Sequence, residues 1–254
     1  MITRRLVLLS GAAATGTALI RPYAAMAAAH AADTYPTNGG EVTIHPVSHA
    51  SFVMETPIGT IYNDPVGDPS AYGDFPEPDL ILITHEHGDH YNADTLSAIV
   101  GANTQLLTNP AVFDMLPEGL KARATSIGNG DSTEILGLTV DAIPAYNLTE
   151  DRMQYHPQGR DNGYILRFDG LTVYIAGDTE DIPEMRALDG IDVAFVPFNL
   201  PYTMDEAQAA SAVAEFAPGV VYPYHYRDSD PEKFATLLKD EGAETEVKIG
   251  PWYS

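Results

Sequence analysis

The sequence predicts an α/β fold in which two β-sheets pack face to face with helices outside them, a four-layer αββα sandwich. Three observations predict it. The chain is mostly short β-prone runs, with helical stretches interspersed in both halves. Several of those runs are continuously apolar, as in strands buried on both faces. With 254 residues, 44% of them hydrophobic and 19% charged, the composition is that of a globular protein with room for a sizeable core. Two sheets covered by outer helices satisfy this order.

Residues 1–32 read as a leader rather than as part of that domain. Arg4 and Arg5 precede a mildly apolar run from Leu6 to Ile20, and Ala-x-Ala sites follow at Ala25–Ala27 and Ala29–Ala31. That is the order of a secretory signal, and Arg4-Arg5 give it a twin-arginine character. The alternative is an uncleaved anchor, but the run is about 15 residues long and falls short of the ~20 that a spanning helix needs. The expectation is an exported protein, periplasmic or extracellular, with no stable membrane insertion once the leader is removed.

Residues 33–40 read as a linker. Short strands are then expected at 41–45, 51–55 and 60–63, between Pro and Gly turns. Leu80–Thr84 is a buried strand, and Asn92 caps a helix running to about Val100. Further strands are predicted at 105–108, 124–127, 138–143, 164–168, 171–176, 193–197 and 220–224. Helices are predicted over 205–216 and 231–240. No repeat or interior linker divides residues 41–254, so they form one domain.

The net charge is −23, and the leader holds three of the arginines and no acid. The rest of the chain therefore carries 10 basic and 36 acidic residues. Such a charge repels polyphosphates at long range, which argues against nucleic acid as a partner and leaves a small-molecule substrate. There is no cysteine, so any metal must be held by His, Asp, Glu or Tyr.

The strand at Leu80–Thr84 runs straight into His85-Glu86-His87-Gly88-Asp89-His90. Three imidazoles and a carboxylate within six residues, on a loop at a strand's end, can fold toward one point, with Gly88 allowing a tight bend. Imidazole nitrogen with carboxylate oxygen suits zinc, manganese or iron. Two more donors end apolar strands in the same way: Asp178 after Leu171–Ala176, and His225 after Val220–Tyr224.

This pattern of His-x-His-x-Asp-His, then Gly177-Asp178-Thr179, then a late histidine, resembles the metallo-β-lactamase superfamily. His49–Phe52, Asn63–Pro65, Tyr202–Asp205 and Pro223–Tyr226 resemble its branch containing the ascorbate-6-phosphate lactonases. The resemblance covers residues 41–254 and implies the metallo-β-lactamase type of αββα sandwich. It implies a metal-dependent hydrolase with one or two divalent ions, zinc first among them, in which metal-bound hydroxide attacks an ester, lactone or phosphoester. His85 and His87 would serve a first metal, and Asp89, His90 and His225 a second. Asp178 would bridge the two, with Asp89 and Asp178 as the catalytic carboxylates.

In one place the chain departs from the family. A third histidine for the first metal is expected after the strand at 138–143, where this sequence has Pro144-Ala145-Tyr146-Asn147. His156 or Tyr146 is the candidate replacement, and a phenol must lose its proton, with pKa ≈ 10, to bind well. His49 and Asp64 are candidates for supporting the ligands, and Tyr202 and Thr203 for lining the pocket. Phosphodiesterase or phospholipase chemistry, and a non-catalytic metal-binding protein with a degenerate site, are the competing functions.

Overall fold

A computed structural model describes residues 32–253. The leader read at residues 1–32 lies outside the described residues, apart from Ala32.

The N-terminal half builds a seven-stranded sheet whose spatial order follows the chain. Its strands are β1 (Asp33–Thr37), β2 (Gly40–Ser48), β3 (Ser51–Thr56), β4 (Gly59–Asn63), β5 (Leu80–Ile83), β6 (Gln105–Thr108) and β7 (Ala124–Ser126). β1 to β4 pair antiparallel, while β4 to β7 pair parallel. Helices α1 (Ala93–Ile99), α2 (Pro110–Met115) and α3 (Glu118–Lys121) lie in the parallel crossovers.

The C-terminal half repeats this plan. β8 (Ser132–Ile135), β9 (Leu138–Ala145), β10 (Asp161–Phe168) and β11 (Leu171–Ile175) are antiparallel. From β11 on, β12 (Val193–Pro197), β13 (Val220–Tyr224) and β14 (Glu246–Val247) are parallel. Helices α4 (Pro183–Arg186), α5 (Glu206–Phe216) and α6 (Pro231–Asp240) join the parallel strands.

Three apolar clusters define the four layers. Val42, Phe52, Leu82, Val140, Tyr164 and Phe195 belong to the core between the sheets. Met185, Val213 and Phe234 seal α4, α5 and α6 onto the outer face of the second sheet, as Leu96 and Val112 seal α1 and α2 onto the first. The burial of β5 and β12 on both faces explains their unbroken apolar sequences. Local chemistry sets the helix starts. Asn92 accepts from the amides of Asp94 and Thr95, and Asp205 and Gln208 form a reciprocal capping box.

The linker expected at 33–40 is a strand and a turn. Asp33–Thr37 pairs with Gly40–Ile44 around Asn38-Gly39, a two-residue hairpin connection. Pro36 is tolerated because β1 is an edge strand and has no outer neighbour to supply with an amide. Ser132–Ile135, for which no strand was expected, closes a second hairpin through Leu136 and Gly137, both at positive φ (54° and 78°).

Candidate active site

The site forms where the C-terminal ends of parallel strands from both sheets meet. β5 delivers the run His85–His90, β11 delivers Asp178, and β13 delivers His225. The loop between β9 and β10 adds His156, and the turn between β2 and β3 adds His49. Gly177 makes the turn into Asp178 at φ 66°, where a Cβ would fall 2.8 Å from the Asn162 carbonyl oxygen. Gly88, by contrast, has open space at its Cβ and no positive φ. The bend there comes instead from the His90 and Tyr91 amides donating to the His87 carbonyl, at 2.9 and 2.8 Å.

Two donor clusters share one carboxylate. His85, His87 and His156 bring their ligand atoms within 4.8 Å of one another, and so do His49, Asp89, His90 and His225. Asp178 lies between them. Its Oδ2 is 3.4 Å from His156 Nε2 and 3.1 Å from His225 Nε2, and its Oδ1 is 3.4 Å from His90 Nε2.

The outward nitrogens are held by hydrogen bonds. His90 Nδ1 meets Asp64 Oδ2 at 2.9 Å, and His156 Nδ1 meets Asp161 Oδ2 at 3.1 Å. Thr84 Oγ1 donates to Asp64 (2.8 Å), which leaves its oxygen to accept from His85 Nδ1 (3.0 Å). These contacts place the N–H outward and the Nε2 lone pair inward. Inside, the buried Nε2 atoms of His85, His90, His156 and His225, and Asp178 Oδ1, have no hydrogen-bond partner. Buried polar atoms are rarely left so. Nitrogen and carboxylate donors converging without partners fit a divalent cation in each cluster.

The electrostatics separate the clusters. Burial pushes His85 well below the usual imidazole range, and His90 adds to it by charge. Burial, helped by His156, lowers His87. For His90, burial also opposes the charge, but Asp178 and Asp64 outweigh it and raise its pKa well above the ordinary value. His225 is raised as well, because Asp178 overcomes its burial. Asp178 is buried, which disfavours its charge, yet His225 and His90 hold it well below the usual carboxylate range.

The sequence-predicted candidates fall out as follows. His156, the less orthodox choice, has its ring centroid 5.0 Å from that of His85 and 4.7 Å from that of His87. Tyr146 is not part of either cluster: its hydroxyl donates to Glu184 and its ring packs in the core under α4 and α5. It follows directly on β9 with its side chain directed to the outer layer, and the chain reaches the donors only ten residues later. Asp64 supports His90, as described. His49 bridges Asp89 Oδ2 (3.1 Å) and the Tyr253 hydroxyl (2.7 Å). Tyr202 lines the cleft, whereas Thr203 is fully buried and its Oγ1 accepts from the Asn199 amide. Thr203 thus closes a turn and does not face the pocket.

The cleft above the clusters has a volume of about 440 Å³ and is also lined by Tyr155 and Arg227. Sequence reasoning missed these two, together with Asp161 and Tyr253. Only Asp161 left a signal, as a carboxylate at the start of a strand five residues after His156. Four non-glycine residues around the site, His49, Asp64, His225 and Arg227, sit at positive φ (52°, 41°, 50° and 41°). Such conformations persist where the surroundings hold them, and they concentrate at functional sites.

Comparison with known proteins agrees with this architecture. Residues 43–225 match a β-lactamase superfamily domain. A metal-dependent hydrolase of Pyrococcus abyssi is 34% identical over 219 residues, covering 80% of this chain and 95% of the relative. The crystal structure of a metal-dependent hydrolase from Parabacteroides distasonis is 43% identical with a TM-score of 0.79, covering 87% of this chain and 98% of that one. A metallo hydrolase from the archaeon Ignicoccus hospitalis is 25% identical with a TM-score of 0.67, over 82% of this chain and 94% of that one. The chain therefore belongs to the metallo-β-lactamase superfamily and is a metal-dependent hydrolase of that fold.

Proposed function

We propose that the protein is an exported hydrolase that cleaves an ester, lactone or phosphoester with two divalent ions, zinc first among them. One observation carries this reading: two clusters of inward-facing, unpartnered donors share Asp178 at the floor of an open cleft. His85, His87 and His156 would hold one ion, Asp89, His90 and His225 the other, and Asp178 both.

When bound, the ion pair supplies Lewis acidity, which acidifies water and stabilises the negative charge that develops on the attacked group. The chain's own contribution is geometric. Asp64, Thr84 and Asp161 fix the ring orientations of His90, His85 and His156, so the donors need no rearrangement before reaction. Asp89 is steadied through Oδ2 by His49 and Arg227. In the overall reaction water oxygen bonds to the acyl or phosphoryl centre, the bond to the leaving oxygen breaks, and that oxygen takes a proton.

His156 brings a third imidazole to the cluster of His85 and His87, which supports this reading over that of a degenerate site. Among the described residues no helix is long and apolar enough to cross a membrane. Metal analysis of the purified chain, beside a screen of esters, lactones and phosphodiesters, tests the proposal. About two ions per chain and turnover abolished by a chelator are expected. A chain that binds no metal and turns over nothing would refute it. Export rests on Arg4-Arg5, and replacing both with Lys should strand the precursor in the cytoplasm. Unchanged export would rule out the twin-arginine route.

A further inference from the structure

The mouth of the cleft carries a feature that hydrolysis alone does not require. We propose that it is a subsite for a small organic anion: the substrate is a carboxylate-bearing ester or lactone, its charge held by Arg227 and its apolar part resting on Tyr155 and Tyr202. This assignment rests on the hydrolase reading above and names its substrate class.

Besides the histidines of the donor clusters, Arg227 is the one basic residue among those lining the cleft. Two other arginines of this region are engaged elsewhere. Arg160 pairs with Glu86 and Asp161, and Arg152 with Glu180, the Thr203 carbonyl and Gln208. Arg227 instead touches Asp89 Oδ2 through Nη2 alone, at 3.1 Å, and half of its side chain is exposed. A guanidinium carries five donors in a fork that matches a carboxylate, so one such contact leaves most of them for a ligand.

The backbone holds the side chain at the mouth. Arg227 sits at φ 41°, two residues after His225 at φ 50°, and its amide donates to the Tyr253 hydroxyl at 2.9 Å. This is a strained position for a residue other than glycine. It puts the guanidinium beside Asp89, whose Oδ2 is 3.6 Å from His225 Nε2. An anion seated there is therefore only a short spacer from a scissile group over the donor clusters.

Charge points the same way. The chain as a whole is strongly acidic, at −23. In the cleft, however, two divalent ions would more than offset the charges of Asp89 and Asp178, and Arg227 would add to that positive balance. A locally positive hollow in a negative protein admits one small anion at short range and repels polyanions at long range. With the chain at −23, a singly charged carboxylate meets less long-range repulsion than a doubly charged phosphate.

The remaining wall is aromatic. Tyr155 and Tyr202 meet edge to face with centroids 5.0 Å apart, and Tyr202 is 42% exposed. Asn147 Nδ2 donates to the Tyr202 carbonyl at 2.7 Å and ties the two loops together. An apolar or planar group can lie on such a surface without disturbing the donors.

Calorimetry on the zinc-loaded protein tests this with 4-phenylbutyrate and its neutral counterpart 4-phenylbutanamide. Wild type should prefer the acid, and Arg227→Gln should weaken the acid about tenfold while leaving the amide within twofold. Tyr202→Ala should weaken both alike. Gln keeps an amide donor for Asp89, and metal content, measured alongside, should stay unchanged. In turnover, the ratio of kcat/KM for 4-nitrophenyl hydrogen glutarate to that for 4-nitrophenyl valerate should fall about tenfold in Arg227→Gln. Acid binding indifferent to Arg227→Gln, equal losses for acid and amide, or loss of metal in that variant would each overturn the subsite. Arg227-dependent binding without turnover of either ester would support the subsite and refute ester cleavage as the reaction instead.

Discussion

The two halves of the molecule follow one plan and use it differently. Each has four antiparallel strands, then parallel strands bridged by helices. Each places a carboxylate just after its fourth strand: Asp64 after β4 and Asp178 after β11. Each carries a histidine between its second and third strands: His49 between β2 and β3, His156 between β9 and β10. In the C-terminal half both residues aim into the donor clusters. In the N-terminal half both stand behind a ligand, with Asp64 on His90 and His49 on Asp89. Equal topology therefore does not confer equal roles. A residue that reaches the shared centre acts as a donor, and one that stops a side chain short acts as a support.

The comparison breaks most visibly at the two carboxylates. Asp178→Ala should empty both clusters and cut turnover on the order of 10³-fold or more, in a protein that still folds. Asp64→Asn should weaken metal binding about 10–100-fold and act through His90 alone. Near-wild-type turnover after Asp178→Ala would leave the two-ion assignment without support.

The paired histidines give the next largest contrast. His156→Ala should lower metal content from about two ions toward one, whereas His49→Gln should keep both and reduce affinity only several-fold. Tyr146→Phe, which removes only the hydroxyl bonded to Glu184, should leave metal content unchanged. If Tyr146→Phe released an ion and His156→Ala did not, the assignment would be reversed.

Acid sharpens the difference between the clusters. His90 and His225 have raised pKa values, so in the metal-free protein they stay protonated up to a higher pH than His85 and His87, whose values are lowered. A proton and a cation compete for the same lone pair. As pH falls, the ion held by Asp89, His90 and His225 should leave first, and the ion at His85, His87 and His156 later. Metal content measured against pH should show two steps, and a single step would contradict the ordering. The smallest effect is expected from Tyr253→Phe, which removes the hydroxyl behind His49 and should change affinity by no more than a few-fold.

What was legible in the sequence divides along the range of the forces involved. The buried strands β5, β12 and β13 and the helices α5 and α6 were readable because their apolar runs and caps are local. The motif His85–His90 was readable because its donors are crowded within six residues. α2 had a readable start in Asn109-Pro110, a cap followed by proline, but its single turn and a half left no periodicity to match. The hairpin of β1 was lost because Pro and Gly outweighed the Asn-Gly turn, although an edge strand tolerates both. Arg227 and Tyr253 were illegible because their significance lies in which distant side chains they meet.

By itself the sequence determined the two-sheet α/β architecture, the absence of thiolate ligands, the strong acidity and the first group of donors. All of these follow from composition, hydrophobic period and short-range spacing, which act along the chain. Only the tertiary structure decided that His156 and not Tyr146 joins His85 and His87, and that Asp161 stands behind it. It alone decided that Thr203 closes a turn while Arg227 faces the cleft. These are questions of side-chain direction at the ends of strands, where a shift of one residue turns a group from one face of the sheet to the other. The packing of the two sheets against each other resolves them, because it sets which strand ends converge and how far each side chain must reach.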